Sequence, residues 1–548
     1  MRTTHHLVAA GTVLSALFLG HAAAAQAMQP DATLVAGDPN GSDRFGYAVA
    51  AFGDLAVVGA TNDDEAASEA GAAYVWSRGA DGGWTFVTKL IAADAAPGDL
   101  FGTSVAAFGD RIVVGAYLKN SARGTATGAA YVFERQPDGT WMQQAQLLAN
   151  DGAAGDRLGI SVGVFGDRVL VGASHADPVG SSPGTNTGAA YVFDRQVDGR
   201  WTQTARLSPA GEPTGALFGW SVSLWGDRAL VGAYQEAGAV ATSGAAHVFD
   251  RDPAGTWSES ARFAPADGAA GDSFGITVAL EGDEALVGAP GDDDAGAGSG
   301  TVRVFRRDSG GSWNELPRLL PPEVRTGDAF GSAVALSAGH ALLGAFADDD
   351  DGDLSGSAYL YERRTDGTWW RSALLHADGG SAGDRFGYAA ALWGDTALVG
   401  AFASDAAAPN AGAVGAFRIG ALLHGQPRVS IASGGSQPML VRRGETFAGS
   451  LFLVVGSITG TTPGIPLAPG VLVPLNFDAY TQLTLEPGSP VVAPSLLLDA
   501  DGAGSAAFQL PAGTGPEFAG LVLHHAVVGI HPTLGFFTSD PIALELVN

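Results

Sequence analysis
The residues best placed to do chemistry in this chain are carboxylates. Asp348, Asp349, Asp350, Asp351 and Asp353 gather around Gly352, with smaller groups at Asp292, Asp293 and Asp294 and at Asp63, Asp64 and Glu65. Alternating carboxylates with a glycine for the bend are the raw material of an oxygen-ligated calcium loop. The longest group lacks a distal bidentate acid, because Leu354-Ser355-Gly356 follows it. Two readings therefore stand side by side. The five aspartates form a partial metal site, with calcium the one cofactor the sequence leaves open, or they form a solvated acidic loop on an acidic protein.

No catalytic constellation is legible. The histidines beyond the N-terminal segment are His175, His247, His340, His376, His424, His524, His525 and His531, and none recurs at a fixed place or shows metalloprotease spacing. His524, His525 and His531 are close in sequence, but neighbours on a strand face opposite sides. No nucleophile elbow and no phosphate-binding glycine loop stands in a strand–turn–helix context. The acids are too numerous to single out a glycosidase pair. No catalytic residue is assigned.

Charge and composition narrow the partners. The 548 residues hold 29 Lys and Arg against 57 Asp and Glu, a formal charge of −28, which repels phosphate backbones and makes nucleic acid an unsuitable partner. There are no cysteines, which removes disulfides, a thiol nucleophile and thiolate metal sites. Residues 1–27 read as a signal peptide: a short polar start, an apolar run from Leu7 to Leu19, and small-x-small cleavage sites that would start the mature chain at Gln26 or Met28. No later stretch has the length and apolarity of a membrane helix. The expectation is an exported protein without a membrane span, whether secreted, periplasmic or at the cell surface.

The elements that must position these residues are set by a repeat. Phe-Gly stands at Phe45, Phe101, Phe218, Phe274, Phe330 and Phe386, with Leu158-Gly159 as the third copy. Gly-Ala follows at Gly59, Gly115, Gly172, Gly232, Gly288, Gly344 and Gly400. Both series step by 56, 57, 60, 56, 56 and 56 residues, and two landmarks sharing one irregular spacing mean stacked supersecondary units. In residues 97–148 one unit reads as four strands: Phe101 to Phe108, a Gly109-Asp110 hairpin, an apolar Arg111 to Ala116, a third strand at Gly128 to Phe133, and a fourth from Trp141 to Leu148. Four antiparallel strands joined mostly by short turns make a propeller blade, so the fold class is all-β, a seven-bladed β-propeller over residues 28–422.

Trp84, Trp141, Trp201, Trp257, Trp313 and Trp369 recur at the start of the fourth strand, which is what packing between blades demands. The Asp of each Gly-Asp hairpin reads as a turn-former capping nearby N–H groups. The seventh unit lacks its Trp strand, and residues 31–36 match the outer-strand position, so the chain start is expected to complete the seventh blade. After Pro427 the period stops. Residues 427–548 read as six or more short strands, a β-sandwich-like domain with strands at Val429 to Ile431, Ser450 to Val455, Val471 to Leu475, Leu496 to Leu498, Ala506 to Leu510 and Leu521 to Val528.

Phe-Gly followed by Gly-Ala, in full Gly288-Ala289-Pro290 once, resembles the FG-GAP repeat that builds the propeller of integrin alpha chains and occurs in exported bacterial proteins. The resemblance implies the seven-bladed ring and a role in adhesion. It often brings a calcium loop, Asp-x-Asp-x-Asp-Gly, between the first two strands of a blade; here those segments are bare hairpins, so the family's metal sites do not transfer.

The leading functional expectation is a noncatalytic binding or adhesion scaffold that recognises a protein, glycan or envelope partner. Its recognition surface would be the loops that vary between units: 61–70, 117–127, 174–187, 234–243, 290–299, 346–355 and 402–411. Two alternatives remain, a hydrolase or lyase acting on polysaccharide and a structural envelope component.

Overall fold
The computed structural model of the chain describes residues 26–419 apart from 80–81, 179, 182–183, 239, 241, 321–323 and 364–366, and within 420–548 the backbone of the strands only. The signal-peptide reading falls almost wholly on residues outside this description. Among the described residues there is no helix; seven four-stranded antiparallel units follow one another. Blade 2 is typical, with strands Ser104–Phe108, Arg111–Ala116, Ala129–Arg135 and Trp141–Leu147. Its register pairs Ser104 with Gly115, Ala116 with Ala129 and Trp141 with Arg135. The first strands of all seven blades touch their neighbours in a closed circle, so they line the axis.

The burial pattern explains why each unit needs the next. Second strands such as Leu55–Ala60 and Thr396–Ala401 are buried throughout, because they lie in the middle of a blade with blades on both faces. Fourth strands alternate, as in Trp141–Leu147, because one face meets solvent. Among the described residues the apolar side chains collect into seven clusters, and each draws on two adjacent blades. One joins Val57, Val75 and Leu90 of blade 1 to Phe101, Ile112 and Tyr131 of blade 2, with Trp141 packed against it. The next joins Val113, Val132 and Leu147 to Val169, Tyr191 and Trp201. The recurring tryptophans are therefore interface residues, as the repeat implies.

The two glycine landmarks have one cause between them. A Cβ on Gly115 would lie 2.0 Å from the carbonyl oxygen of Gly159, the Phe-Gly glycine of the following blade. Gly59 stands in the same relation to Gly102, and Gly400 to Gly46 across the ring closure. The Phe-Gly glycines also have positive φ, 92° at Gly102. Backbone meets backbone at every blade interface, and only a residue without Cβ fits.

Closure follows the expected route. Ala32–Leu34 pairs antiparallel with Ala413–Arg418 as the outer strand of blade 7. Gln26–Met28 adds a fifth strand, parallel to Trp369–Leu375 of blade 6, so the segment bridges two blades. Phe45 N–H donates to Ala411 O at 2.8 Å, carrying the backbone linkage across the seam.

In the tail, strands Arg428–Ser430, Leu451–Ser457, Val522–His531, Gly535–Thr538 and Ile542–Val547 pair in one sheet, and Gly435–Arg442, Val491–Val492 and Ala503–Leu510 in another. The expected strand at Leu496 to Leu498 lies outside the described residues.

Candidate functional site
Each blade starts its first strand and ends its second on the same face of the ring, and the long variable loops leave from there. The opposite face carries the tight hairpins, where the rings of Trp393, Phe52, Phe108, Phe165 and Trp225 pack side to side at 4.2 to 5.2 Å around one mouth of the axis. The loop face is the candidate site because its loops differ most from blade to blade on a constant frame.

What holds those loops is a recurrent carboxylate that the sequence reading did not single out. Two residues before the Phe-Gly or Leu-Gly pair stands a buried aspartate in six blades: Asp43, Asp99, Asp156, Asp272, Asp328 and Asp384. Each accepts the backbone N–H three residues earlier, for example Ala153 to Asp156 at 2.7 Å and Arg325 to Asp328 at 2.6 Å. Burial pushes Asp156 and Asp328 up to about 6, and raises Asp43, Asp272 and Asp384 as well. Blade 4 has Ala216 at this place.

The acidic clusters resolve into two repeated uses. Four residues after the Gly of Gly-Ala, the chain places Asp63, Glu236, Asp292 and Asp348 at loop positions that are buried. Each faces a side chain of the third strand: Tyr74 Oη donates to Asp63 at 2.7 Å, Tyr359 Oη to Asp348 at 3.1 Å, and His247 Nε2 lies 2.8 Å from Glu236. Arg303 is 3.8 Å from Asp292. The following carboxylate caps the loop five residues on: Asp64 accepts from Glu69 N, Asp293 from Gly298 N, Asp349 from Leu354 N and Asp405 from Asn410 N, at 2.6 to 2.8 Å.

The five candidate metal ligands are thus spread over separate tasks. Asp348 meets Tyr359, Asp349 caps the loop, Asp350 pairs with Arg325, and Asp351 Oδ2 lies 2.6 Å from His376 Nδ1. Asp353 contributes its backbone carbonyl to Gly383 N at 2.9 Å. Among the described residues no three His, Asp or Glu groups converge in metal-holding geometry. The longest loop, 174–187, is organised the same way. Asp177 accepts from Gly184 N, Thr185 Oγ1 and Asn186 N at 2.7 to 2.9 Å; against its partial burial, these donors hold the carboxyl below its ordinary range.

Two histidines on this face are accounted for by packing. His247 takes the third-strand place that tyrosine fills in blades 1, 2, 3 and 6, with Phe218 edge-on at 5.4 Å. Burial opposes its charge, but Glu236 and Glu259 on its two ring nitrogens raise its pKa. His175 is pushed down to about 4 by burial and by Arg157.

The hairpin aspartates do not act as the sequence suggested. Asp167, Asp227 and Asp283 take the guanidinium of the preceding blade, Arg111 at 2.7 Å, Arg168 at 2.8 Å and Arg228 at 3.0 Å. The pairs are separated by more than fifty residues of sequence, so reading one unit at a time hides them.

A family model described as FG-GAP repeat matches residues 29–76, 84–133, 141–193, 201–249, 257–305, 313–361 and 369–417. No curated protein matches the chain.

Proposed function
The chain belongs to the FG-GAP repeat family, and from that premise we propose that it is an exported, noncatalytic scaffold that binds a protein, glycan or envelope partner through its loop face. The observation that carries this reading is the division of labour within each unit. The strands, the interface glycines and the buried loop-capping aspartates repeat, while the loops they hold change in length and side chains. A frame that rigid presents loops at little conformational cost, which is what recognition requires. Propellers of this family often bind protein partners, in keeping with the reading. Export rests on the residues 1–27 signal, and N-terminal sequencing of secreted protein would place the cleavage at Gln26 or Met28. Among the described residues no helix is long and apolar enough to cross a membrane.

The test is binding of the full chain to arrays of glycans and to envelope fractions, in calcium and in EDTA. The expected outcome is a saturable partner whose binding drops at least about tenfold when residues 178–184 are replaced by a short Gly-Ser bridge. Equal binding in EDTA would end the calcium reading of Asp348 to Asp353. Turnover of a polysaccharide would move the assignment to the hydrolase or lyase alternative, and retention on envelope through residues 427–548 alone would move it to the structural one.

A further inference from the structure
The chain has about two acids for every base, 57 against 29, and most of its arginines lie against a carboxylate. Arg78, Arg111, Arg168, Arg228, Arg262, Arg303 and Arg306 all do so. Arg44, Arg157 and Arg385 do not: among the described residues none of these three guanidinium groups has an ion-pair partner. They share one structural place, directly before the Phe-Gly or Leu-Gly pair of blades 1, 3 and 7, with φ of 59°, 61° and 58°. That place is the entry to the first strand, at the axial mouth of the loop face. Their acidic neighbours in sequence, Asp43, Asp156 and Asp384, are buried and committed to backbone N–H groups, so they do not neutralise them.

Around these arginines the mouth is aromatic. Tyr47 and Tyr388, each two residues after the Phe of its blade, have ring centroids 5.1 Å apart. Phe402 lies 4.5 Å from Tyr388 and 5.7 Å from Tyr47, and Phe346 lies 5.7 Å from Tyr388. Arg385 stands 5.7 Å from the Phe402 centroid and 5.8 Å from that of Phe346; Arg44 stands 6.0 Å from Phe402. Across the mouth, Trp220 and Tyr234 of blade 4 pack at 5.0 Å. Arg157 directly precedes Leu158–Phe165, the first strand of blade 3, which packs between the first strands of blades 2 and 4, so it stands between the two aromatic groups on the ring. All of these rings are partly exposed. In blade 5 the matching places hold Ile276 and Pro290.

We propose that this axial mouth, with Arg44, Arg157 and Arg385 set among Tyr47, Trp220, Tyr234 and Tyr388, is a binding site for an acidic saccharide of the uronate class. The inference rests on the scaffold reading above and gives it a ligand chemistry. Unpaired guanidinium groups on a strongly acidic protein call for an anion, and a planar fork matches a carboxylate. Partly exposed ring faces beside them suit the apolar faces of a sugar ring better than a fully solvated inorganic anion, since a site of this kind combines aromatic walls with a few placed polar groups. Cation–π contact holds Arg44 and Arg385 against the rings, so their positions are set before a ligand arrives.

The test titrates the full chain calorimetrically with tetragalacturonate, the neutral galactotetraose and tetraglutamate. The expected result is saturable binding of the uronate, weakened by added salt, with at least about tenfold lower affinity for the other two. An Arg44→Gln, Arg157→Gln, Arg385→Gln variant with unchanged melting temperature is expected to lose at least about a further tenfold. If that variant does not fold, Arg157→Gln alone provides the comparison. Equal binding of galactotetraose, or unchanged binding by the variant, overturns the proposal. Tetraglutamate binding as tightly as the uronate also overturns it and points to an acidic peptide. Absence of uronate binding while an envelope partner still depends on residues 178–184 overturns this site and leaves the scaffold reading intact; absence of any partner overturns both.

Discussion
At the scale of single residues, the glycine of Gly-Ala and the aspartate of the acidic loops show opposite limits of reading a repeat. The glycine is legible as essential because it recurs in all seven units, yet its partner is the Phe-Gly glycine of the next blade, a contact no single unit contains. Gly115→Ala would put a Cβ 2.0 Å from Gly159 O and 2.3 Å from Ser104 Oγ, and neither blade can retreat without opening its own interface. We expect a loss of about 3 kcal/mol or more. Gly109→Ala, at a hairpin with φ of 59° and open space around it, should cost only about 1 kcal/mol. Equilibrium denaturation of both variants checks this, and equal losses would refute the interface account. The aspartates have uses that no single loop displays. Asp348 to Asp353 read in isolation look like a metal loop; aligned on Gly-Ala, Asp348 and Asp349 fall on the places where blade 1 uses Asp63 to meet Tyr74 and Asp64 to cap its loop. The same alignment would have exposed Asp43 and its five counterparts.

At the scale of the blade, strand order and boundaries follow from alternation, Gly-Asp hairpins and the recurring tryptophans, and the structure places them within a few residues of the expectation. What joins blades on the hairpin face was not legible, because its partners are far apart in sequence. Arg168 shows the arrangement. Its Nε meets Asp194 at 2.7 Å within the blade, while its Nη1 reaches Gly226 O at 3.1 Å and Asp227 at 2.8 Å in the next. Its guanidinium also lies 5.4 Å from the Trp257 ring centroid. Asp227 is mostly exposed, so the ion pair itself is screened and contributes little, about 0 to 1 kcal/mol. Arg168, by contrast, is largely buried and anchors a carbonyl, a carboxylate and an indole together. Asp227→Asn is therefore expected to change stability by less than about 0.5 kcal/mol, and Arg168→Ala to cost about 1 to 3 kcal/mol, much of it packing. Thermal melts of the two variants decide it; a larger effect from Asp227→Asn would mean that charge, not packing, couples the blades.

At the scale of the whole molecule, closure turns seven marginal units into one cooperative ring. The segment Gln26–Leu34 spans two blades, and the seam between blades 7 and 1 has its own apolar cluster, so no interface is left open. The ring also concentrates its carboxylates, which makes its stability a function of pH with a definite sign. Asp156 and Asp328 are raised to about 6, and Asp43, Asp272, Asp292, Asp348 and Asp384 are raised too, burial being the first cause in each. A carboxyl whose folded pKa exceeds its unfolded one binds its proton more tightly when folded. Its stabilisation is complete below the unfolded value and is lost as pH rises through the folded one. Asp38, Asp94, Asp267 and Asp395 act the other way: burial opposes their charge, but Lys89, Tyr131, Arg303 and Arg78 hold them below the ordinary range, and their contribution is lost only as pH falls through those lower values. His247, raised by its two glutamates, sides with the first group, and His175, lowered to about 4, opposes it. Lower pH also relieves the self-repulsion of a −28 charge. The melting temperature is therefore expected to rise as pH falls from about 7 to about 5 and to fall again below about 4. Asp328→Asn, which keeps a buried polar group but removes its titration, should flatten part of that rise. A melting temperature that climbs steadily from about pH 5 to about pH 8 would show that the buried loop-capping aspartates are ionised at no cost, and that the frame holding the recognition loops is not built as described.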